Sequence, residues 1–453
     1  MITSADSCDV VYMRQSDLLK LSLFPLTNEV GSRGHLYIGG CDSIELAKKF
    51  GTPLYVFDEV TLRSKCQEFQ AEFTKRYSNT LIIYASKAFL NRALAIILKE
   101  EGLGLDVVSG GELSAAQSVD FPREKVYFHG NNKTADELKQ ALDWEIGRIV
   151  VDNFDELNLL ISLACEVGVR QSILLRLTPG VDPHTHRHTT TGILDSKFGF
   201  PLATGQAETA VAKAMSASNL DLVGLHFHLG SPIPDISSYQ IAISLVLNFA
   251  KEMKTKYDFH LAELSPGGGF AVKYTVGSQT PSIADYAEAI TAKVTSLANE
   301  LDLTCPKLII EPGRAIVAQA GVALYTVGSI KEIPGVRKYI CVDGGMGDNI
   351  RPALYEARYE VLVANKVSDD ESTNVTIAGK YCESGDILAR DVSLAPVSVG
   401  DIIAIPVSGA YSIPMSSNYN MVPRPAIVMV KDGKARLIRK RESYKDLIEL
   451  DLI

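Results

Sequence analysis

The sequence predicts an α/β chain: a closed (β/α)8 barrel of the TIM type, plus a mostly antiparallel β-barrel or sandwich domain. Three observations predict it. Eight short apolar segments recur between residues 81 and 310, and most are followed by a stretch with helical spacing. Such alternation argues for parallel pairing, and eight units argue for closure. Nearly every apolar segment ends in polar or glycine-rich residues, which is where a barrel carries its chemistry. After Arg314 the helical spacing fades and short alternating runs replace it. A doubly wound open sheet is the alternative, but it would usually show a glycine-rich first turn, which is not found.

The elements follow in order. Residues 1–52 form a mixed segment without a strong period and are expected to join the β domain. Pro53–Phe57 reads as a strand leading into a helix from Asp58, a plausible N-cap, and opens the barrel domain at 53–314. The eight barrel strands are expected at Leu81–Ala85, Leu105–Val108, Val126–Phe128, Arg148–Val151, Ser172–Leu177, Leu222–His226, Leu261–Ser265 and Lys307–Ile310. Helical spacing follows at Asp136–Leu142, Phe154–Val167 and Ser237–Met253. In the β domain, 315–453, strands are expected at Val322–Val327, Tyr339–Val342, Tyr359–Val363, Val375–Ala378, Asp401–Ile405 and Pro425–Val430.

Composition narrows the function classes. The chain has 453 residues, 46% hydrophobic and 22% charged, so it is long enough for two domains with a sizeable core. A net charge of -9 with scattered basic residues argues against nucleic acid and anionic membranes as partners. No run reaches the apolar length of a membrane span, and Met1–Gln15 lacks the pattern of a secretory signal. The seven cysteines include no paired CxxC knuckle, which fits a reducing cytoplasm and neither a disulfide framework nor a zinc ribbon.

The candidate chemistry lies at the strand ends. Lys87, in Tyr84-Ala85-Ser86-Lys87-Ala88-Phe89, follows the first barrel strand in a mostly apolar setting. It is either a snorkelling surface residue or a placed amine, made nucleophilic by desolvation as Schiff-base lysines are. Gly267-Gly268-Gly269, Ser231 and Gly313 can offer N–H groups and a hydroxyl to a phosphate, although glycines also serve tight turns. His228 can stack on a ring or be a hydrogen-bonded core histidine. Glu311 can face a pyridine nitrogen, or pair with Arg314. His184, His186 and His188 alternate, but no carboxylate or cysteine cluster completes a metal site around them, so no metal is assigned.

These residues fall in motifs that occur in a known family order: YASKAF, DVVSGGEL from Asp106, HGNNKT from His129, HFHLGS, GGGF, EPGR and CESGD. The chain resembles the alanine-racemase-fold, pyridoxal-phosphate-dependent decarboxylases (fold type III). The resemblance runs from about His35 to about Tyr444. Within the family it is similar to members acting on meso-2,6-diaminopimelate in the last step of lysine synthesis. The narrower motifs are THRHTTTG with KFGF, RPALY from Arg351, and Glu383 after Cys382. The departure at Pro232, after HLGS, bears on the phosphate-side loop.

The resemblance implies pyridoxal 5'-phosphate as cofactor, linked to Lys87. It implies cofactor contacts from Asp106, His129, His228, Ser231, Gly267, Gly268, Gly269, Glu311, Gly313, Arg314 and Tyr411. It also implies Cys382 as proton donor, acting across a homodimer interface. The substrate has an amino-acid head at each end, so the distal head needs a cation for its carboxylate and an anion for its ammonium. Arg314 and Arg351 suit the carboxylate, Glu383 the ammonium, and Tyr355 and Tyr411 can add hydroxyl contacts. A related decarboxylase for ornithine, arginine or lysine, and a non-catalytic carrier of the same cofactor, are the alternatives. Arg351 and Glu383 speak against the first, and the β domain with Cys382 against the second.

Overall fold

The computed structural model describes residues 15–182, 191–367 and 372–453. They fall into two compact units. One comprises Arg63–Val272 and Thr280–Ile316; the other comprises Met1–Leu62, Lys273–Gln279 and Val317–Ile453.

The first unit is the barrel. Its strands are β1 (Thr80–Ala85), β2 (Gly104–Val107), β3 (Val126–Phe128), β4 (Arg148–Val151), β5 (Gln171–Thr178), β6 (Leu220–Phe227), β7 (Glu263–Ser265) and β8 (Lys307–Ile310). All neighbours are parallel, β8 pairs with β1, and β4 pairs with β5 to close the ring, with Val150 opposite Leu174. The expected eight strands are therefore present, within a residue or two at most ends. The interior is a packed layer of Ile83, Tyr127, Val150, Leu174 and Ile309, all essentially inaccessible. At the amino-terminal end the interior is polar instead. Glu263 there takes two hydrogen bonds from Arg148, at 3.1 and 2.8 Å, and one from the Tyr127 hydroxyl at 3.0 Å. A buried charge is tolerated only when paired and hydrogen-bonded, as here.

Several strand-to-helix turns end in a side-chain cap. Asn91 accepts from Leu94 N–H, Ser109 from Glu112 N–H, and Asn153 from Glu156 N–H. Thr134 with Glu137, and Ser282 with Asp285, form reciprocal capping boxes. Part of the polar chemistry after the strands is thus helix initiation. Ser109 and Glu112 are the clearest case, since Glu112 also accepts the Val108 N–H at 2.7 Å.

The second unit is sheet-rich. Gly321–Ile333 is its longest strand and pairs antiparallel with Arg337–Val342, Ile402–Ile405 and Leu54–Asp58. Leu54–Asp58 also pairs in parallel with Ala426–Lys431. The Pro53–Phe57 segment, grouped with the barrel on sequence, is therefore a central strand of this other sheet. Its Leu54 and Val56 are fully buried, which stabilises by about 1.5–3 kcal/mol each. Of the expected Tyr359–Val363 strand only Leu362–Val363 forms. Two further strands, Ile387–Leu394 and Lys434–Arg439, were not expected.

Candidate active site

The carboxyl-terminal ends of β6, β7 and β8 bring together His226, Ser265 and Glu311. Ser265 donates its hydroxyl to Glu311 Oε1 at 2.6 Å, and His226 Nε2 lies 3.2 Å from Oε2. Burial alone would raise the pKa of Glu311. His226 and His129 beside it, with the hydrogen bonds from His226 and Ser265, outweigh burial and hold the carboxylate well below its usual range. An ionised Glu311 only accepts, so His226 Nε2 carries the hydrogen. Burial pushes the His226 and His129 pKa values down, and the Glu311 carboxylate beside them opposes this.

Asp106, at the end of β2, faces the same group. His129 Nε2 sits 3.8 Å from Asp106 Oδ1 and 3.7 Å from Glu311 Oε1, between the two acids. Burial pushes the Asp106 pKa up to about 8; the positive charge of Lys87 opposes this, while Glu311 and Glu112 reinforce it. Like charges close together do not both ionise readily. Glu311 is the anion of the pair, and Asp106 is mostly protonated at neutral pH.

Lys87 occupies a single 3-10 turn, Ser86–Ala88, at the end of β1. Ser86 and Ala88 are buried, but Lys87 itself is exposed. The desolvation expected for this amine is therefore corrected: the turn directs it out of the apolar layer to the strand-end mouth. Its charge is still felt by the site, since it acts on Asp106, Glu112, His129, His226 and His228.

The glycine turn has a different local role from the one expected. Gly268 N–H donates to His228 Nδ1 at 3.3 Å, and Gly267 N–H to Ser265 Oγ at 3.1 Å. Two of the three N–H groups assigned to a phosphate are thus engaged within the protein. A Cβ on Gly268 would lie 2.0 Å from the Glu311 carbonyl oxygen, and one on Gly269 would lie 2.5 Å from that of Gly230. Glycine is needed there for close approach of the turn to β8 and to the loop after β6. The turn is held from below by Tyr239, whose hydroxyl donates to Gly268 O at 2.7 Å, and by Phe270 against Phe69 and Tyr286. Because His228 Nδ1 accepts, the neutral ring carries its hydrogen on Nε2. On the same mouth Arg314 Nη2 donates to Ser231 Oγ at 3.3 Å, and a cis peptide joins Ser231 to Pro232. Gly313 packs onto β1, where an added Cβ would meet the Ala85 Cβ at 3.0 Å.

The remaining candidates lie in the sheet-rich unit. Arg351 begins the short helix Arg351–Tyr355 and is buried. Its guanidinium lies 4.4 Å from the Tyr274 ring centroid and donates to the Tyr359 hydroxyl. Neither tyrosine was singled out from sequence. Tyr355 and Tyr411 are half-buried, and Tyr411 holds a left-handed backbone at φ 59°. Cys382 and Glu383 are exposed on a tight loop. Asp386 ties that loop down, accepting Tyr381 N–H at 2.8 Å and Met346 N–H at 2.6 Å.

The barrel residues fit an aromatic, phosphorylated, nitrogen-bearing ring. Among the described residues, Asp106 Oδ1, His129 Nε2 and His226 Nδ1 are buried without a hydrogen-bond partner. Such atoms call for a polar ligand or a bridging group. An anion stabilised in advance at Glu311 suits a ring N–H⁺, and Lys87 supplies an amine at the same mouth. His129, His226 and Glu311 also bring ligand-capable atoms within 4.8 Å of one another. The His226 N–H already points at Glu311, so this is a hydrogen-bonded anion site rather than converging lone pairs. His184, His186 and His188 lie outside the described residues.

Comparison with known proteins agrees with this geometry. Residues 60–318 match the pyridoxal binding domain of the pyridoxal-dependent decarboxylases. The chain is 46% identical over 426 residues to the diaminopimelate decarboxylase of Bacillus subtilis (strain 168), covering 94% of this chain and 97% of that one. It is 45% identical over 419 residues to that of Bacillus methanolicus, covering 92% and 97%. Among solved structures, the diaminopimelate decarboxylase of M. jannaschii in complex with L-lysine matches with a TM-score of 0.89 at 37% identity, covering 94% of this chain and 98% of that one.

Proposed function

This chain belongs to the diaminopimelate decarboxylases, a family of pyridoxal-dependent enzymes, and on that premise we propose that it converts meso-2,6-diaminopimelate to L-lysine and carbon dioxide. The observation that carries the reading is Glu311, kept anionic by Ser265 and His226 at the mouth that also holds Lys87. Pyridoxal 5'-phosphate, when bound, supplies an electron-accepting ring for the electron pair left as carbon dioxide departs.

The protein's own residues do the rest. Lys87 is the covalent anchor of the cofactor. Glu311 offers its carboxylate to the ring nitrogen and favours the protonated, more electron-accepting form. His228, neutral and fixed by Gly268, offers a ring face. Asp106 and His129 complete the polar surround of Glu311. Ser231, Arg314, Gly313 and the Gly267–Gly269 turn line the phosphate side, with Gly267 and Gly268 shaping the approach. Arg351 takes the distal carboxylate and Glu383 the distal ammonium, with Arg314, Tyr355 and Tyr411 contributing contacts. Cys382 gives the proton that replaces the lost carboxylate, its S–H acting as general acid.

The resemblance supports a homodimer in which Cys382 and Glu383 serve the partner's Lys87. The six cysteines among the described residues are free thiols, which supports a cytoplasmic setting. No helix among the described residues is long and apolar enough to cross a membrane. The test is carbon dioxide release from meso-diaminopimelate, lysine, ornithine and arginine by purified protein. Turnover of meso-diaminopimelate well above the others is expected; preference for ornithine or arginine would overturn the reading. For the shared site, Lys87→Ala and Cys382→Ala subunits, each strongly impaired alone, are mixed. Mixed dimers should recover activity, and mixed dimers no better than either variant would refute sharing.

A further inference from the structure

We propose that Tyr419 and Asn420 are positioning residues for Cys382, a role that rests on the reading of Cys382 as proton donor. Cys382 is exposed on the loop between the strands Thr373–Ala378 and Ile387–Leu394, and an exposed loop thiol has no packing to aim it. Its backbone is nonetheless held on both sides. The Cys382 N–H donates to Asn420 Oδ1 at 2.9 Å, and the Tyr419 hydroxyl reaches Cys382 O at 3.4 Å. Two consecutive residues thus hold the peptide units on either side of the Cys382 Cα. The ring of Tyr419 also stacks on Tyr381, the residue before Cys382, at 6.0 Å and 21°.

The bracket is built on unusual backbone. Asn420 lies at φ 53°, ψ 27°, and Met421 at φ 55°. Left-handed backbone is disfavoured for side chains other than glycine, asparagine and aspartate. Such outliers persist where the surroundings impose them, and they concentrate at functional sites. Asn420 is one of the few residues that can both hold this backbone and present an acceptor. From the other flank, Asp386 fixes Tyr381 through its N–H. Two anchors on Cys382 and one on its neighbour leave the thiol as the group free to face a reacting carbon. A proton donor must sit within hydrogen-bond reach of its target, so geometry of this kind governs kcat more than substrate binding.

The experiment uses the holoenzyme with meso-diaminopimelate. Asn420→Gly keeps the left-handed backbone and deletes the acceptor; Asn420→Asp keeps the acceptor. Asn420→Gly should lower kcat about tenfold, the scale of one lost hydrogen bond, with KM within about twofold and cofactor content unchanged. Asn420→Asp should recover most of kcat, with KM unchanged. In a Cys382→Ala background Asn420→Gly should have no further effect. If Asn420→Gly does not assemble, Tyr419→Phe replaces it in the same cycle. An equal loss in both backgrounds, or no recovery with aspartate, overturns the proposal in favour of a general structural role. Full kcat in Cys382→Ala alone would instead overturn the proton-donor reading, and the positioning role with it.

Discussion

Ser265 Oγ and Glu311 Oε1 lie 2.6 Å apart across neighbouring strands β7 and β8, with the serine donating. The same serine oxygen accepts Gly267 N–H at 3.1 Å. One hydroxyl therefore couples the glycine turn to the site's anion. Removing a hydrogen bond to a buried charge costs about 1.5–3 kcal/mol.

Ser265→Ala should accordingly lower kcat by roughly tenfold or more and move the acid limb of its pH profile to higher pH, because Glu311 protonates more easily. Glu311→Gln, which removes the charge itself, should cost more. Steady-state kinetics across the acid range check both. An unchanged acid limb in Ser265→Ala would separate the hydroxyl from the ionisation of Glu311.

Asp106 makes the apo-protein sensitive to pH. Its folded-state pKa is pushed up to about 8, mainly by burial, against about 4 in an unfolded chain. Between those values the folded protein binds the extra proton, so stability from this group falls as pH rises through the window. Asp106→Asn removes the dependence. The stability difference between variant and wild type should widen with pH, by at most about 1.4 kcal/mol per unit, and flatten above pH 8. Urea unfolding of both apo-proteins from pH 5 to 9 measures it. A difference that does not vary with pH would mean that Asp106 is ionised throughout.

Lys87 should be the site of covalent attachment. Borohydride treatment of the holoenzyme should fix the cofactor to one peptide, the one containing Lys87, and Lys87→Ala should lose the trapped adduct together with nearly all turnover. Recovery of the adduct on any other lysine defeats the assignment.

The barrel was legible because each strand is a short apolar run with a helical period behind it. Sheet membership was not. Leu54–Asp58 is buried at all five positions, and such a run does not say which sheet receives it. Ile387–Leu394 and Lys434–Arg439 were hidden because charged residues interrupt them, Arg390 and Asp391 in the first and Lys434 and Arg436 in the second, which is also largely exposed. At the site, Lys87 and Glu311 stood out as charged residues at strand ends. The roles of Ser265 and His226 depend on partners 46 and 85 residues away, a relation that only the closed barrel creates. Tyr274 and Tyr359 were missed for the same reason, being brought to Arg351 by folding.

That arrangement gives the specificity prediction. Arg351 is stacked on Tyr274, with the two tyrosine rings edge to face at 5.4 Å, and it donates to the Tyr359 hydroxyl. A guanidinium held flat in this way loses little freedom when it takes a carboxylate, whereas an ammonium can neither stack in the same way nor bind in a fork. Arg351→Ala should therefore reduce kcat/KM for meso-diaminopimelate by the equivalent of roughly 2–4 kcal/mol, tens to several hundredfold, with cofactor binding intact. Arg351→Lys should recover little of it. Tyr359→Phe, which keeps the ring and deletes the acceptor, should raise KM severalfold and leave kcat within about twofold, since it loosens the arginine without touching the reacting end. Tyr274→Phe keeps the stacking face and should be nearly neutral, while Tyr274→Leu should resemble Tyr359→Phe. If Arg351→Lys retains wild-type kcat/KM, the planar fork is not what reads the distal carboxylate, and the two tyrosines hold Arg351 for the fold alone.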